Sequence, residues 1–98
     1  MPFRKTHIEN FDLKVRKILE ENENKLTVDA FGKTFDTPEW QEAFADENGK
    51  LVKFLRHRAF KTEGMGEDEI DPSFITAFAL FNCVGETEQK AHVFYHLL

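Results

Sequence analysis

Apolar positions in this chain fall into several blocks of helical spacing, separated by polar or glycine-containing stretches. Residues 1–5 carry no periodic signal and read as a loose arm. In THIENFDLKVRKILEEN, the residues Ile8, Phe11, Val15, Ile18 and Leu19 give one apolar helical face. Thr6 stands as its N-cap, and Glu9, three residues on, completes a capping box. The polar run 20–25 ends that helix. Leu26 to Val28 reads as a short extended piece, and Phe31 and Phe35, four apart, suit one or two helical turns after it. Thr37 followed by Pro38 is a helix start, with Glu39 and Glu42 near its positive end and with Trp40 and Phe44 on one face. Asn48-Gly49 marks a turn or a helix end. The pattern then resumes through Leu51, Phe54, Leu55 and Arg58, either continuing the previous helix or following a break at Gly49.

KTEGMGED has no periodicity and reads as a loop, with a second short extended piece at 69–71. Asp71-Pro72 repeats the cap-and-proline start. The helix it opens carries Phe74, Phe78 and Phe81 on one face, widened by Ile75, Ala79 and Leu80, and is expected to be central to the core. Gly85 suits a left-handed C-terminal cap. A last helix starts near Glu86 and Thr87, with Val93, Phe94, Leu97 and Leu98 expected to face inward. No glycine or polar tail follows Leu98, so the expectation is a chain cut from a longer protein rather than an end that docks.

One arrangement occurs twice: amphipathic helix, polar loop, extended piece with an aliphatic centre, phenylalanine-led helix. The copies are FDLKVRKILEENENKLTVDAFGKTF and LVKFLRHRAFKTEGMGEDEIDPSFITAF, in which Leu26 and Ile70 hold equivalent places and Phe31 and Phe74 open the outgoing helices. Two such halves can lay their short strands side by side and pack their helices around a shared core. With these features the chain resembles a paired EF-hand domain. Its closing segment SFITAFALFNCVGETEQKAHVFYHLL is similar to the outgoing helix and following incoming helix in calcineurin B-like proteins and in the regulatory EF-hand regions of NADPH oxidases. Glu88, Lys90, Phe94 and Tyr95 carry the start of the latter helix. The resemblance implies a mainly α fold: an EF-hand-like pair of helix-loop-helix units with a short two-stranded β pairing between the loops. It divides residues 1–98 into a first unit at 6–35, a second at 38–84 and a final, truncated helix at 86–98.

A calcium-binding loop of that family needs oxygen ligands at positions 1, 3 and 5, glycine at 6 and a bidentate glutamate at 12. With Leu26 at the aliphatic position 8, Leu19 falls at 1, Glu21 at 3, Glu23 at 5, Asn24 at 6 and Ala30 at 12. Both anchoring ligands are gone, and this loop reads as metal-free. With Ile70 at 8, Glu63 falls at 1, Met65 at 3, Glu67 at 5, Asp68 at 6 and Phe74 at 12. Glu63, Glu67 and Asp71 are the only candidates for a weak, irregular calcium site. DENGKL matches the middle of such a loop, but Phe44 and Leu55 fall at its ends.

Composition alters this picture in three ways. There are 11 phenylalanines against one Trp and one Tyr, and rings without a polar handle are expected to build the core. The net charge of −5 argues against non-specific nucleic-acid binding. The basic stretch KLVKFLRHRAFK, with Arg56 and Arg58, reads as a solvated face. The single cysteine, Cys83, forms no intrachain disulfide and reads as a buried, inert thiol beside Phe81 and Val84. No signal peptide or membrane-length apolar run is present, and the cytoplasm is the expected compartment.

Little else suggests chemistry. His92 and His96 are four apart on a helix, but Val93 stands where a zinc protease has its general base, and Glu88 is the nearest third ligand. There is no phosphate loop, Cys-x-x-Cys pair or nucleophile elbow, and the one serine, Ser73, sits in a helix's first turn. The expectation is a non-catalytic protein-interaction or regulatory domain that has lost its calcium ligands, without cofactor, and binding a protein partner or a neighbouring domain. The alternative is a weak calcium sensor using the acidic 63–71 loop.

Overall fold

In the computed structural model the described residues are 2–97, without the side chain of His96. The Leu98 placement expected from sequence lies outside them. The elements run as a 3-10 turn at Pro2–Lys5, α1 (Ile8–Glu21), β1 (Leu26–Thr27), α2 (Val28–Thr34), α3 (Pro38–Phe44), α4 (Lys50–Leu55), a second 3-10 turn at Arg58–Phe60, β2 (Glu69–Ile70), α5 (Pro72–Asn82) and α6 (Thr87–Leu97). The fold is mainly α with one small antiparallel sheet.

The two strands pair in the register that the repeated pattern implies. Leu26 lies opposite Ile70 and Thr27 opposite Glu69. The Val28 N–H continues the ladder to the Asp68 carbonyl at 2.9 Å. In both halves the residue after the aliphatic centre caps the next helix. The Thr27 hydroxyl accepts the Ala30 N–H at 3.1 Å, and Asp71 Oδ1 accepts the Ser73 N–H at 2.8 Å and the Phe74 N–H at 3.3 Å. Strand and cap together fix the direction in which each outgoing helix leaves.

One hydrophobic cluster runs from Phe3 to Val93 and draws on α1, both strands, α2 to α5 and α6. Helix α1 packs against α2, α5 and α6, while α3 packs against α4 and the first 3-10 turn. The arm expected to be loose is part of this core. Phe3 is 1% exposed. Its ring centroid lies 4.9 Å from Phe78, 5.1 Å from Trp40, 5.7 Å from Phe11 and 6.1 Å from Phe54.

That burial changes the start of α1. Thr6 is not its cap. The Thr6 hydroxyl donates to the Pro2 carbonyl at 3.0 Å and accepts the Trp40 indole N–H at 2.8 Å, tying the arm to α3. His7 caps α1 instead, its Nδ1 accepting the Glu9 N–H at 3.1 Å. Its Nε2 faces the Gln89 carboxamide oxygen at 3.0 Å, so the two contacts assign the ring proton to Nε2. The same Gln89 oxygen accepts the Glu86 N–H at 2.9 Å, the reach-back half of a capping box.

The chain breaks between α3 and α4. Asp46 Oδ1 accepts the Asn48 N–H and its carbonyl accepts the Gly49 N–H, both at 2.9 Å, which forms a turn there. Helix α4 ends before Arg58, which opens the second 3-10 turn. Gly85 is not a left-handed cap, because Gly64 is the one described glycine with positive φ. Gly85 is needed for close approach. Thr6 and Ile8 exchange backbone hydrogen bonds with Val84 at 2.8 and 2.7 Å, and a Cβ on Gly85 would lie 2.6 Å from Ile8 Cγ2.

No helix among the described residues is long and apolar enough to cross a membrane.

Candidate functional site

Eight of the eleven phenylalanines behave as composition predicts. Phe3, Phe11, Phe31, Phe35 and Phe60 are buried, and Phe44, Phe54 and Phe78 pack partly buried against them. The other three are exposed, and all lie on α5 or α6: Phe74 at 43%, Phe81 at 88% and Phe94 at 49%. Val84, just after α5, and Tyr95, on α6, are also exposed.

Helix α5 explains this distribution. PSFITAFALFN has no charged residue and is apolar on nearly every side, so periodicity could not select its inner face. The inner stripe is Ile75, Thr76, Ala79 and Cys83, with Phe78 half-buried beside Phe3 and Phe54. The expected inward face of Phe74, Phe78 and Phe81 is thus corrected for its first and last members. Small and β-branched residues meet the core, and the two larger rings turn out. On α6 the correction is similar: Val93 is buried and Leu97 half-buried, while Phe94 faces out.

Between α5 and α6 lies a groove of about 300 Å³, lined by Ala77, Leu80, Phe81, Thr87, Ala91 and Phe94, with Lys90 as its one charged residue. Phe81 and Phe94 stand at the groove as exposed rings, so it offers both a recess and large apolar surface. Cys83, at the C-terminal end of α5, is buried. Burial pushes its thiol up to about 12, with Lys90 pulling weakly the other way. At neutral pH it is protonated and a poor nucleophile.

The acidic candidates are arranged differently. Glu63 and Glu67 line one cleft, of about 620 Å³, together with Arg56, Arg58 and Lys61. Asp71 is not part of that cleft lining, and one of its carboxylate oxygens is taken up by the α5 cap. Among the described residues, no group of three His, Cys, Asp or Glu side chains is placed to hold a metal ion. Arg56 lies 3.6 Å from Asp68 in a half-exposed pair. His92 is exposed on α6, and the His96 side chain lies outside what is described. Ser73 sits in the first turn of α5, where its N–H serves the cap.

Sequence reading missed two features. The outward rings carried a faint signal, since an uncharged helix apolar all round has more surface to cover than one core can take. Lys61 carried none. It follows the second 3-10 turn, and its ammonium donates to the carbonyls of Glu67, at 2.7 Å, and of Glu69.

Compared with known protein families, curated proteins and solved structures, the chain matches none.

Proposed function

We propose that this chain is a non-catalytic protein-interaction domain of EF-hand-like plan, and that it docks the apolar side of an amphipathic helix on its α5–α6 face. The helix belongs to a partner protein or to a neighbouring domain. The observation that carries this reading is the concentration of every exposed phenylalanine on α5 and α6, beside an apolar groove. Monomeric surfaces seldom leave large apolar patches uncovered. Helix-in-groove recognition needs this combination of recess and flanking rings.

The electrostatics suit such a partner. A helix lying along uncharged α5 meets no unpaired charge, and Lys90 at the groove favours an acidic residue on the polar flank of the docked helix. The EF-hand-like plan is supported by the repeat itself: equivalent aliphatic centres pair across the sheet, and the residue after each one caps the outgoing helix. Loss of both end ligands in the first loop, at Leu19 and Ala30, and of the closing glutamate in the second, at Phe74, favours docking that needs no calcium.

The test is a display library of amphipathic helical peptides, selected on the intact chain, with amide NMR mapping of the selected peptide. Shifts at residues 77, 80, 81, 91 and 94, equal with and without calcium, and loss of binding in Phe81→Asp are expected. Peptides that map elsewhere would overturn the docking reading. Binding that requires calcium, with shifts in 63–71, would favour a weak calcium sensor instead.

A further inference from the structure

The loop from 61 to 69 has its backbone carbonyls sorted into two sets. Gly66 O accepts the Glu69 N–H at 3.2 Å, and Asp68 O accepts the Val28 N–H from the neighbouring half at 2.9 Å. The alternate carbonyls, of Glu67 and Glu69, turn to the other side and converge on the ammonium of Lys61. Two carbonyl oxygens aimed at one point form a partial cation site, since their dipoles add there and repel each other unless a positive charge lies between them. The Lys61 ammonium is a compact charge with three donors, two of which are used here.

We infer that the cation position of the second loop is occupied by the chain's own Lys61. Its ammonium does the organising work that a bound divalent ion would do, and it excludes such an ion by like charge. The inference rests on the EF-hand-like reading in one respect. With Ile70 at position 8, Glu69 is position 7, the place where a calcium loop contributes a backbone carbonyl to the ion. The loop keeps that carbonyl turned inward and supplies a lysine from its own entrance. The convergence of Lys61 on the two carbonyls stands independently of the register.

The consequence reaches beyond the loop. Glu69 pairs with Thr27 in the sheet, and the Asp71 N–H on the next turn of chain bonds the Phe60 carbonyl at 2.6 Å. Fixing the carbonyl of Glu69 therefore fixes β2 against β1, and with it the start of α5, which presents the groove. Glu63 and Glu67 stand in the same cleft as Lys61, Arg56 and Arg58 and offset part of their positive charge.

The experiment is native-state hydrogen exchange on the whole chain and on Lys61→Met, Lys61→Gln and Lys61→Arg, read at the amides of Val28, Glu69 and Asp71. Removing the ammonium in Lys61→Met is expected to speed exchange at these amides at least tenfold, with the buried amides of α1 unchanged. Lys61→Gln should behave like Lys61→Met, and Lys61→Arg should stay within about threefold of the parent. Should Lys61→Met fold poorly, the Gln and Arg pair still separates charge from shape. Unchanged exchange in both neutral variants would overturn the inference. So would calcium-dependent shifts within 61–71 of the parent chain, because a filled position has no room for a second cation. These readouts do not depend on whether the α5–α6 face binds a helix, so either idea can fail without the other.

Discussion

Phe3→Ala and Phe81→Ala remove the same benzyl group from sites of opposite character. Phe3 is 1% exposed and touches four aromatic rings, with centroids between 4.9 and 6.1 Å away. Deleting it forfeits the transfer free energy of a fully buried ring and leaves a cavity walled by rigid side chains, a change that costs about 3–5 kcal/mol. A domain of this length holds on the order of 5–15 kcal/mol in total, so the loss is severe. At about 4–8 °C per kcal/mol, the midpoint of thermal unfolding should fall by roughly 12–40 °C. Phe81 is 88% exposed. A ring carries about 200 Å² of surface, of which only about a tenth is covered here, so its removal should cost no more than about 0.6 kcal/mol. Urea unfolding followed by far-UV circular dichroism measures both. The sole tryptophan, Trp40, 5.1 Å from Phe3, provides a second probe of the same transition. A Phe3→Ala loss below about 1 kcal/mol would mean the N-terminal arm is loose after all. A Phe81→Ala loss above about 2 kcal/mol would mean that α5 turns its other side to the core, and the groove would lose its basis.

Gly85→Ala places a methyl 2.6 Å from the Cγ2 of fully buried Ile8, and should cost about 1–3 kcal/mol. In an Ile8→Leu background, which removes that branch methyl, the same substitution should cost less, and a double-mutant cycle by urea unfolding measures the coupling. Cys83 gives a pH dependence. Burial raises the folded thiol from about 9.0 to about 12, so the unfolded chain releases its proton first. The stabilisation is complete below the thiol's ordinary value and is lost as pH climbs toward 12. The urea midpoint of the parent should therefore drop more between pH 8 and pH 10 than that of Cys83→Ala; equal drops would refute the burial of the thiol.

What could be read from the residues was local and periodic. The α1 face and the Asp71-Pro72 start rest on spacing or cap chemistry within a few positions, the pairing of Leu26 with Ile70 rests on the repeat that makes them equivalent, and the structure has all three. What could not be read depended on distant partners. Thr6 has the chemistry of a cap, but the indole of Trp40 engages its hydroxyl, and His7 takes the vacant role. Phe3 lies in a segment too short for any period, and only a pocket built from α1, α3, α4 and α5 buries it. Gly85 carries a general signal for a helix end, while its actual constraint is the width of Ile8. In α5, apolar residues on all sides erase the phase information on which a helical wheel relies.

The same loss of phase links fold to function. If only one side of α5 were needed, outward positions 74 and 81 would tolerate polar residues at no cost to the core, and a charged outer stripe would keep the surface soluble. Instead the outward side carries two phenylalanines and continues across the groove to Phe94. The loops that set the direction of α5 are closed by the chain's own groups. In the first, Asn24 N–H bonds the Leu19 carbonyl at 2.8 Å, with Glu23 and Asn24 both at positive φ; in the second, Lys61 joins two carbonyls. In calcium sensors, ion binding reorients the helices to expose an apolar groove. Here contacts within the chain fix the start of α5, and the proposed docking face between α5 and α6 is already open without an ion. Under the docking proposal, the partner's affinity would then be set by Phe81, Phe94 and the groove between them and not by the concentration of an ion.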